Sequence, residues 1–456
     1  MCQTGRSLRI LLISTYELGR QPFGLASPAA WLRHAGAEVS CLDLARQPVD
    51  EEAVRTADAV AFFLPMHTAT RLAIPVIQRT REINPAAHLC AYGLYAPVNA
   101  DLLRKLGVRT IAGGEFEEAL LTLVRPGAAP LISLARQRFV TPDRSGLPTL
   151  EKYAQLVLPG GARRTVGHTE ASRGCKHWCR HCPVVPVYQG RFRIVQSEVV
   201  LEDIRRQIAA GAQHITFGDP DFFNGIGHAV ELVRALHREF PRVTYDATIK
   251  VEHLLRHSQH LPLLRETGCA FVVSAVESVD DYVLQHILEK GHTRADFARV
   301  ARMFREVGLV LAPTFVPFHP WMTLEGYADL LAEIAGLDLV EHVSPVQLSI
   351  RLLVPAGSRL LELPEARAAI GAFDEGALSY RWVHPDPRVD KLQRELESSI
   401  ARAVTAKEDR RAIFRRAWEM THEALPDGAK VAGRLPDVPP GRARVTIPYL
   451  TEPWYC

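Results

Sequence analysis

The sequence predicts an α/β chain with three parts: a Rossmann-like doubly wound sheet, a partial (β/α) barrel, and a helical and irregular C-terminal extension. Three observations carry this. Short apolar runs alternate with helical stretches from Leu8 to about Leu123; the same βα rhythm resumes at Gly167; and it gives way to charged helical sequence beyond residue 385. A length of 456 residues exceeds what one hydrophobic core usually organises, which supports the division.

In the first unit, residues 1–125, the strands are RILLIS, AEVSCLDL, AVAFFLP and HLCAYGL, with helices between them beginning at Pro28 to Gly36. Sheets of this kind bind ligands at the carboxyl edge of their strands, where the loop STYELGRQPFG would lie. Residues 126–165, rich in Pro, Gly and Arg, read as a linker. The barrel, residues 166–385, takes HITFGD, VTYDATIK, FVVSAVES, VLAPTFVPF and VQLSIRLLVP as strands, with amphipathic helices such as Leu201 to Ala210 and Ala295 to Val307. Its chemistry is expected at the C-terminal ends of those strands. Residues 386–456 form the extension, helical over 390–424 and irregular from Pro436, ending in the apolar segment IPYLTEPWYC.

Composition narrows the function. An apolar fraction of 47%, a charged fraction of 23% and a net charge of +3 describe an ordinary globular protein. The basic residues are scattered, so neither nucleic acid nor an anionic membrane is expected as a partner. The N-terminal apolar run, about six residues, is too short for a signal peptide or a membrane span, and a cytoplasmic location is expected. In a reducing compartment the eight cysteines remain thiols available to metals. No Gly-rich phosphate loop is evident.

Three cysteines stand together in Ser172-Arg-Gly-Cys175-Lys-His-Trp-Cys179-Arg-His-Cys182-Pro183. Spacings of three and two residues let one loop wrap a cuboidal cluster, and thiolates suit iron–sulfur or zinc. Three ligands leave one iron open, unlike a ferredoxin with a fourth cysteine nearby. His177 and His181 offer a closed zinc site as the alternative. An iron–sulfur or zinc regulatory protein is the corresponding non-enzymatic reading.

The CxxxCxxC loop following the first strand of a βα repeat resembles the radical S-adenosylmethionine (SAM) superfamily. The resemblance implies that Cys175, Cys179 and Cys182 hold a 4Fe-4S cluster whose fourth iron is chelated by the methionyl part of SAM. It also implies an electron donor such as a flavodoxin or ferredoxin. One departure is His181, which stands where family members usually carry an aromatic residue.

The resemblance also places the SAM site. Gly218 and Asp219 follow HITF, where the family receives the SAM amino group, with Asp221 as an alternative acceptor. Glu277 and Ser278 end FVVSAVES at the position of a glutamate that contacts the ribose or methionine part. Lys250, ending VTYDATIK, would face the same mouth and meet a carboxylate. Arg351 in QLSIRLLVP would clamp the SAM carboxylate or an anionic substrate, with Gln347 as its companion on the same strand face.

The overall layout, SIRLLVPAGSRLL and the tail PYLTEPWYC are similar to the CUAEP/CCAEP-tail radical SAM proteins, among them the enzyme of arsinothricin biosynthesis. That similarity implies 3-amino-3-carboxypropyl transfer from SAM to arsenite, forming a carbon–arsenic bond and giving hydroxyarsinothricin. Cys456 would capture the thiophilic arsenic, and the family tail continues there with a second cysteine or a selenocysteine. The alternative is a 5′-deoxyadenosyl-radical enzyme, a methyltransferase or hydrogen abstractor. Cobalamin stays open: STYELGRQPFG occupies the place of a cobalamin loop but lacks the Asp-x-His-x-x-Gly signature.

Overall fold

A computed structural model of the chain describes residues 7–125, 127–426 and 446–452. Its first sheet comprises β1 (Arg9–Ser14), β2 (Glu38–Asp43), β3 (Ala59–Phe63), β4 (His88–Tyr92), β5 (Thr110–Gly114) and β6 (Ile132–Ser133). The order is β2-β1-β3-β4-β5-β6, with every pair parallel. Helices cover both faces, so the strands are apolar throughout rather than alternating. One face buries Leu11, Ile13, Val60 and Phe62; the other buries Ile10, Leu12, Ala61 and Cys90. Strand order reverses between β1 and β3, which places the switch-point crevice beside the loop after β1.

The second half is built from β7 (Gln155–Val157), β8 (Arg163–Thr169), the hairpin β9 (Ser172–Gly174) with β10 (Phe192–Ile194), β11 (His214–Phe217), β12 (Thr244–Thr248), β13 (Cys269–Glu277) and β14 (Leu311–Phe315). A second hairpin, β15 (Ile370–Asp374) with β16 (Ser379–Trp382), and the short β17 (Tyr449–Leu450) follow. The curled sheet runs β14-β13-β12-β11-β8-β7-β17, parallel from β8 to β14. Val166, Phe271 and Leu156 fill its interior, while outer helices pack on Ile215, Phe217, Tyr245 and Val272. Helix Arg294–Val307 shows how local sequence sets these boundaries. Thr293 and Asp296 form a capping box, and Gly308 closes the helix at φ 75°.

Three expectations change. The stretch 126–165, read as a linker, contributes β6 to the first sheet, β7 and the start of β8 to the second. The strand expected over VQLSIRLLVP is a 3-10 turn, Pro345–Leu348, and a single parallel bridge between Phe318 and Arg351. The Gln347 side chain accepts the amide of Phe315 at 3.0 Å, taking the place a strand backbone would have had, and the barrel stays open there. The tail, read as irregular, supplies β17, which pairs antiparallel with β7. Glu452 then reaches Arg46 of the first unit at 3.1 Å and lies over Gly19. Cys456 lies outside the described residues.

Candidate functional site

The cysteine loop leaves β9 through Gly174, whose φ is 73° and where a Cβ would come within 2.4 Å of the Arg191 carbonyl. Only glycine fits such a left-handed, crowded position. Cys175 and Cys179 are buried and Cys182 is half-buried. Burial, then the neighbouring Cys179 thiol, pushes Cys182 up to about 12. Lys250 Nζ stands 3.7 Å from Cys179 Sγ, and buried Lys290 is held charged by Glu277 and Cys179 against the cost of its own burial. Thiols on one loop, flanked by cations that favour thiolate, fit the iron–sulfur assignment.

Asp219 and Asp221, two residues apart, do different work. Asp219 accepts Ala171 N at 2.9 Å and Ser172 Oγ at 2.5 Å, which ties β11 to the approach of the cysteine loop. Burial pushes it up to about 7. Each of its oxygens thus accepts one hydrogen bond from the chain and keeps acceptor capacity to spare. Asp221 turns elsewhere: Oδ1 accepts the Phe223 amide and Oδ2 lies 2.7 Å from His253 Nδ1. Burial opposes its ionisation, but His177 and His253 outweigh this and hold it at about 2.

Glu277 sits beyond a bulge in β13 with φ 70°, a strained left-handed conformation for a non-glycine residue. Lys290 at 3.2 Å and His181 at 3.3 Å hold its carboxylate, and against burial they keep it ionised down to about 2. His181, where an aromatic residue was expected, is thus part of the charge balance of the mouth. Ser278 accepts the amide of Asp280. Gly218 lies against His168, whose Nε2 would be 2.4 Å from a Cβ there.

Arg351 is placed away from this mouth. Its guanidinium pairs with Asp390 at 2.6 Å, donates to the Trp382 carbonyl and stacks 3.4 Å over the Trp382 ring. With VQLSIRLLVP not a strand, neither Arg351 nor Gln347 points into the barrel as a strand alternation would require.

Several functional groups escaped sequence reasoning. Arg173, two residues before Cys175, is buried and bidentate on Glu117 at 2.6 and 2.8 Å, bonds Glu170 at 2.6 Å, and lies 5.0 Å from the rings of Phe116 and Phe139. It fastens the cysteine loop to the N-terminal unit. His253, Lys290 and His292 belong to segments, KVEHLL and EKGHT, whose proximity to the loop is a matter of tertiary folding. His292 and His319 are buried with both ring nitrogens unpartnered in the protein, and burial pushes each down to about 3. Such groups call for ligand or water.

In the first unit, the loop after β1 keeps a glycine, Gly19, five residues after Ser14, with Tyr16 where the cobalamin signature would place histidine. Ser14 Oγ is buried without a partner.

Residues 169–332 match the radical SAM superfamily model. The hopanoid C-3 methylase of Methylococcus capsulatus is 28% identical over 152 residues, 33% of this chain and 29% of that protein. The tRNA-2-methylthio-N(6)-dimethylallyladenosine synthase of Herpetosiphon aurantiacus is 23% identical over 185 residues, 37% of this chain and 40% of that protein. The chain therefore spans well under half the length of these relatives. Among solved structures, the radical SAM methyltransferase TsrM of Kitasatospora setae, with cobalamin and a 4Fe-4S cluster bound, aligns with TM-score 0.62 at 16% identity, covering 91% of this chain and 100% of that one. The cobalamin-dependent radical SAM enzyme OxsB aligns with TM-score 0.64 at 13% identity, covering 87% and 67%. The likeness is one of fold: a Rossmann-like sheet with a curled half-barrel. Over residues 169–332 the chain is similar to the radical SAM superfamily, a match that implies a 4Fe-4S cluster and SAM.

Proposed function

We propose that this radical SAM enzyme transfers the methyl group of SAM to a small molecule, with cobalamin seated between the Rossmann edge and the barrel mouth. The observation that carries the reading is the junction itself. The strand ends of the first sheet face the cysteine loop, and Glu117 and Arg173 fasten the two together. In this arrangement Cys175, Cys179 and Cys182 would hold the cluster, and Gly218, Lys250, Glu277 and Ser278 would surround SAM. When bound, the cluster supplies the electron for reductive chemistry on SAM and cobalamin supplies a methyl carrier.

The chain's own residues do the rest. Gly218, lacking a Cβ, allows close approach to backbone; Lys250 offers a cation to a carboxylate; Glu277, strained and held by Lys290 and His181, presents a fixed negative charge. With Tyr16 in the place of the signature histidine, the β1 loop would offer cobalamin no imidazole. The test is reconstitution with hydroxocobalamin: binding should shift its visible spectrum without the signature of histidine coordination, and failure to bind would remove cobalamin from the reading.

The competing reading is aminocarboxypropyl transfer to arsenite. Docking of the tail through β17 and Glu452 supports it, because this brings the C-terminal segment to the junction of the two units. Methylthioadenosine would be its nucleoside product, whereas methyl transfer yields S-adenosylhomocysteine. An electron donor of the flavodoxin or ferredoxin class fits either.

A further inference from the structure

We infer that Thr314 and the small side chains around it form a substrate well inside the barrel, a seat for an uncharged, largely apolar molecule with one hydrogen-bonding group. The inference rests on the proposed transfer to a small molecule and narrows its class. Strand alternation places the residues. Phe271 of β13 and Ala312 of β14 belong to the interior cluster, whereas Phe315 packs outward on Phe297 with ring centroids 5.9 Å apart. Val273 and Ala275 therefore turn inward with Phe271, and Thr314 turns inward with Ala312. Thr314 stands opposite Ala275, and the next pairing along the two strands is Glu277 with Phe315. The well thus opens one step beneath the charged mouth.

Side-chain size decides what this space can hold. A packed barrel fills its interior with bulky branched residues. Here the inward positions at this level are Thr248, Val273, Ala275 and Ala312, all half-buried, so the interior stays open. Beneath them Leu156, Val166 and Phe271 are buried together, while Asp246 accepts from Thr216 at 2.6 Å and pairs with His214 at 2.8 Å. The floor is closed and its charge is engaged.

One group in the well is unsatisfied. Thr314 is 9% exposed, and its Oγ1 has no hydrogen-bond partner among the described residues. Valine has nearly the same shape and would avoid the cost of burying a lone hydroxyl, so the hydroxyl is best explained by a ligand group that meets it. The nearest charges already have partners: Lys250 turns to Cys179 and Glu252, and Glu277 to Lys290 and His181. Against the uncharged wall of β13 and β14, a charged molecule would lose its hydration without compensation.

The test measures the binding of two probes, phenol and toluene, to the cluster-filled holoenzyme by saturation-transfer NMR. The pair differs only in a hydroxyl against a methyl group. Phenol should bind about fivefold more tightly, the worth of one hydrogen bond. Thr314→Val should bring phenol to the affinity of toluene and leave toluene unchanged, whereas Thr314→Ser should keep the preference. Ala312→Leu fills the well and should weaken both probes at least about tenfold. Iron content should hold in all three variants. No binding of either probe by the wild type, a phenol preference that survives Thr314→Val, or undiminished binding in Ala312→Leu would overturn the well. Should Ala312→Leu fold poorly, Thr314→Val and Thr314→Ser decide alone. Turnover plays no part in these measurements, so failure of the well and failure of methyl transfer are read separately.

Discussion

The two sets of strand ends face one another but are built differently. In the N-terminal sheet the ends close on aromatic rings, backbone groups and buried carboxylates that find protein partners, Asp43 on the Tyr153 hydroxyl and Glu117 on Arg173. Phe63, Tyr92 and Phe116 pack with ring centroids 5.1–6.0 Å apart, Tyr92 donates to the Gly24 carbonyl at 2.7 Å, and the β1 loop is pinned by Ala154 N donating to the Gly19 carbonyl at 2.8 Å. At the barrel mouth the ends carry Lys250, Lys290, Glu277 and Asp221, all buried beside thiols. Buried charge is costly unless partners or ligands offset it. The charges at the barrel mouth stand beside the cysteine thiols, and the Rossmann side is fastened to that loop through Arg173.

Changes that strike the charged side should cost most. Cys175→Ala, Cys179→Ala or Cys182→Ala should each abolish cluster assembly, read as loss of bound iron and of the cluster's visible absorbance. A full iron complement in any one variant would break the assignment. Next comes the fastening between the regions. Glu117→Ala leaves the Arg173 guanidinium buried without its main counter-charge and should cost about 3–5 kcal/mol in denaturant unfolding. A loss under about 1 kcal/mol would make that junction incidental.

A smaller effect depends on pH. Burial, offset in part by Arg173, raises Glu115 from 4.5 to about 7, so the fold favours its protonated form. That contribution is complete below about 4.5 and is lost as pH climbs to about 7, a span on the order of 3 kcal/mol. Glu115→Gln should flatten the decline; an unchanged pH–stability curve would assign it to other groups. The smallest effect belongs to Arg351→Ala, outside both regions. Its partly exposed pair with Asp390 should cost at most about 1 kcal/mol, with SAM affinity unchanged. Lost SAM binding would return Arg351 to the mouth.

Legibility in the sequence followed the range of the interactions. Most of the apolar strand runs, the amphipathic pattern from Ala295 to Val307 and the cysteine spacing are local signals, and they lead to their elements or loop. Arg351 and Gln347 misled because an apolar run reads alike as strand or turn when one side chain, Gln347, replaces the strand's hydrogen bond. Arg173–Glu117 spans 56 positions and His253–Asp221 joins two barrel strand ends, so neither pairing has a sequence signature. Asp219 and Asp221 have the same residue type and nearly the same position; only their tertiary partners separate a carboxyl at about 7 from one at about 2.

The central claim, methyl transfer on a radical SAM scaffold, is tested most directly by the nucleoside product. Reduced, cluster-filled and hydroxocobalamin-treated enzyme incubated with SAM should release S-adenosylhomocysteine, in amounts that fall to background in Cys179→Ala. Methylthioadenosine as the cluster-dependent product, without S-adenosylhomocysteine, would contradict the account.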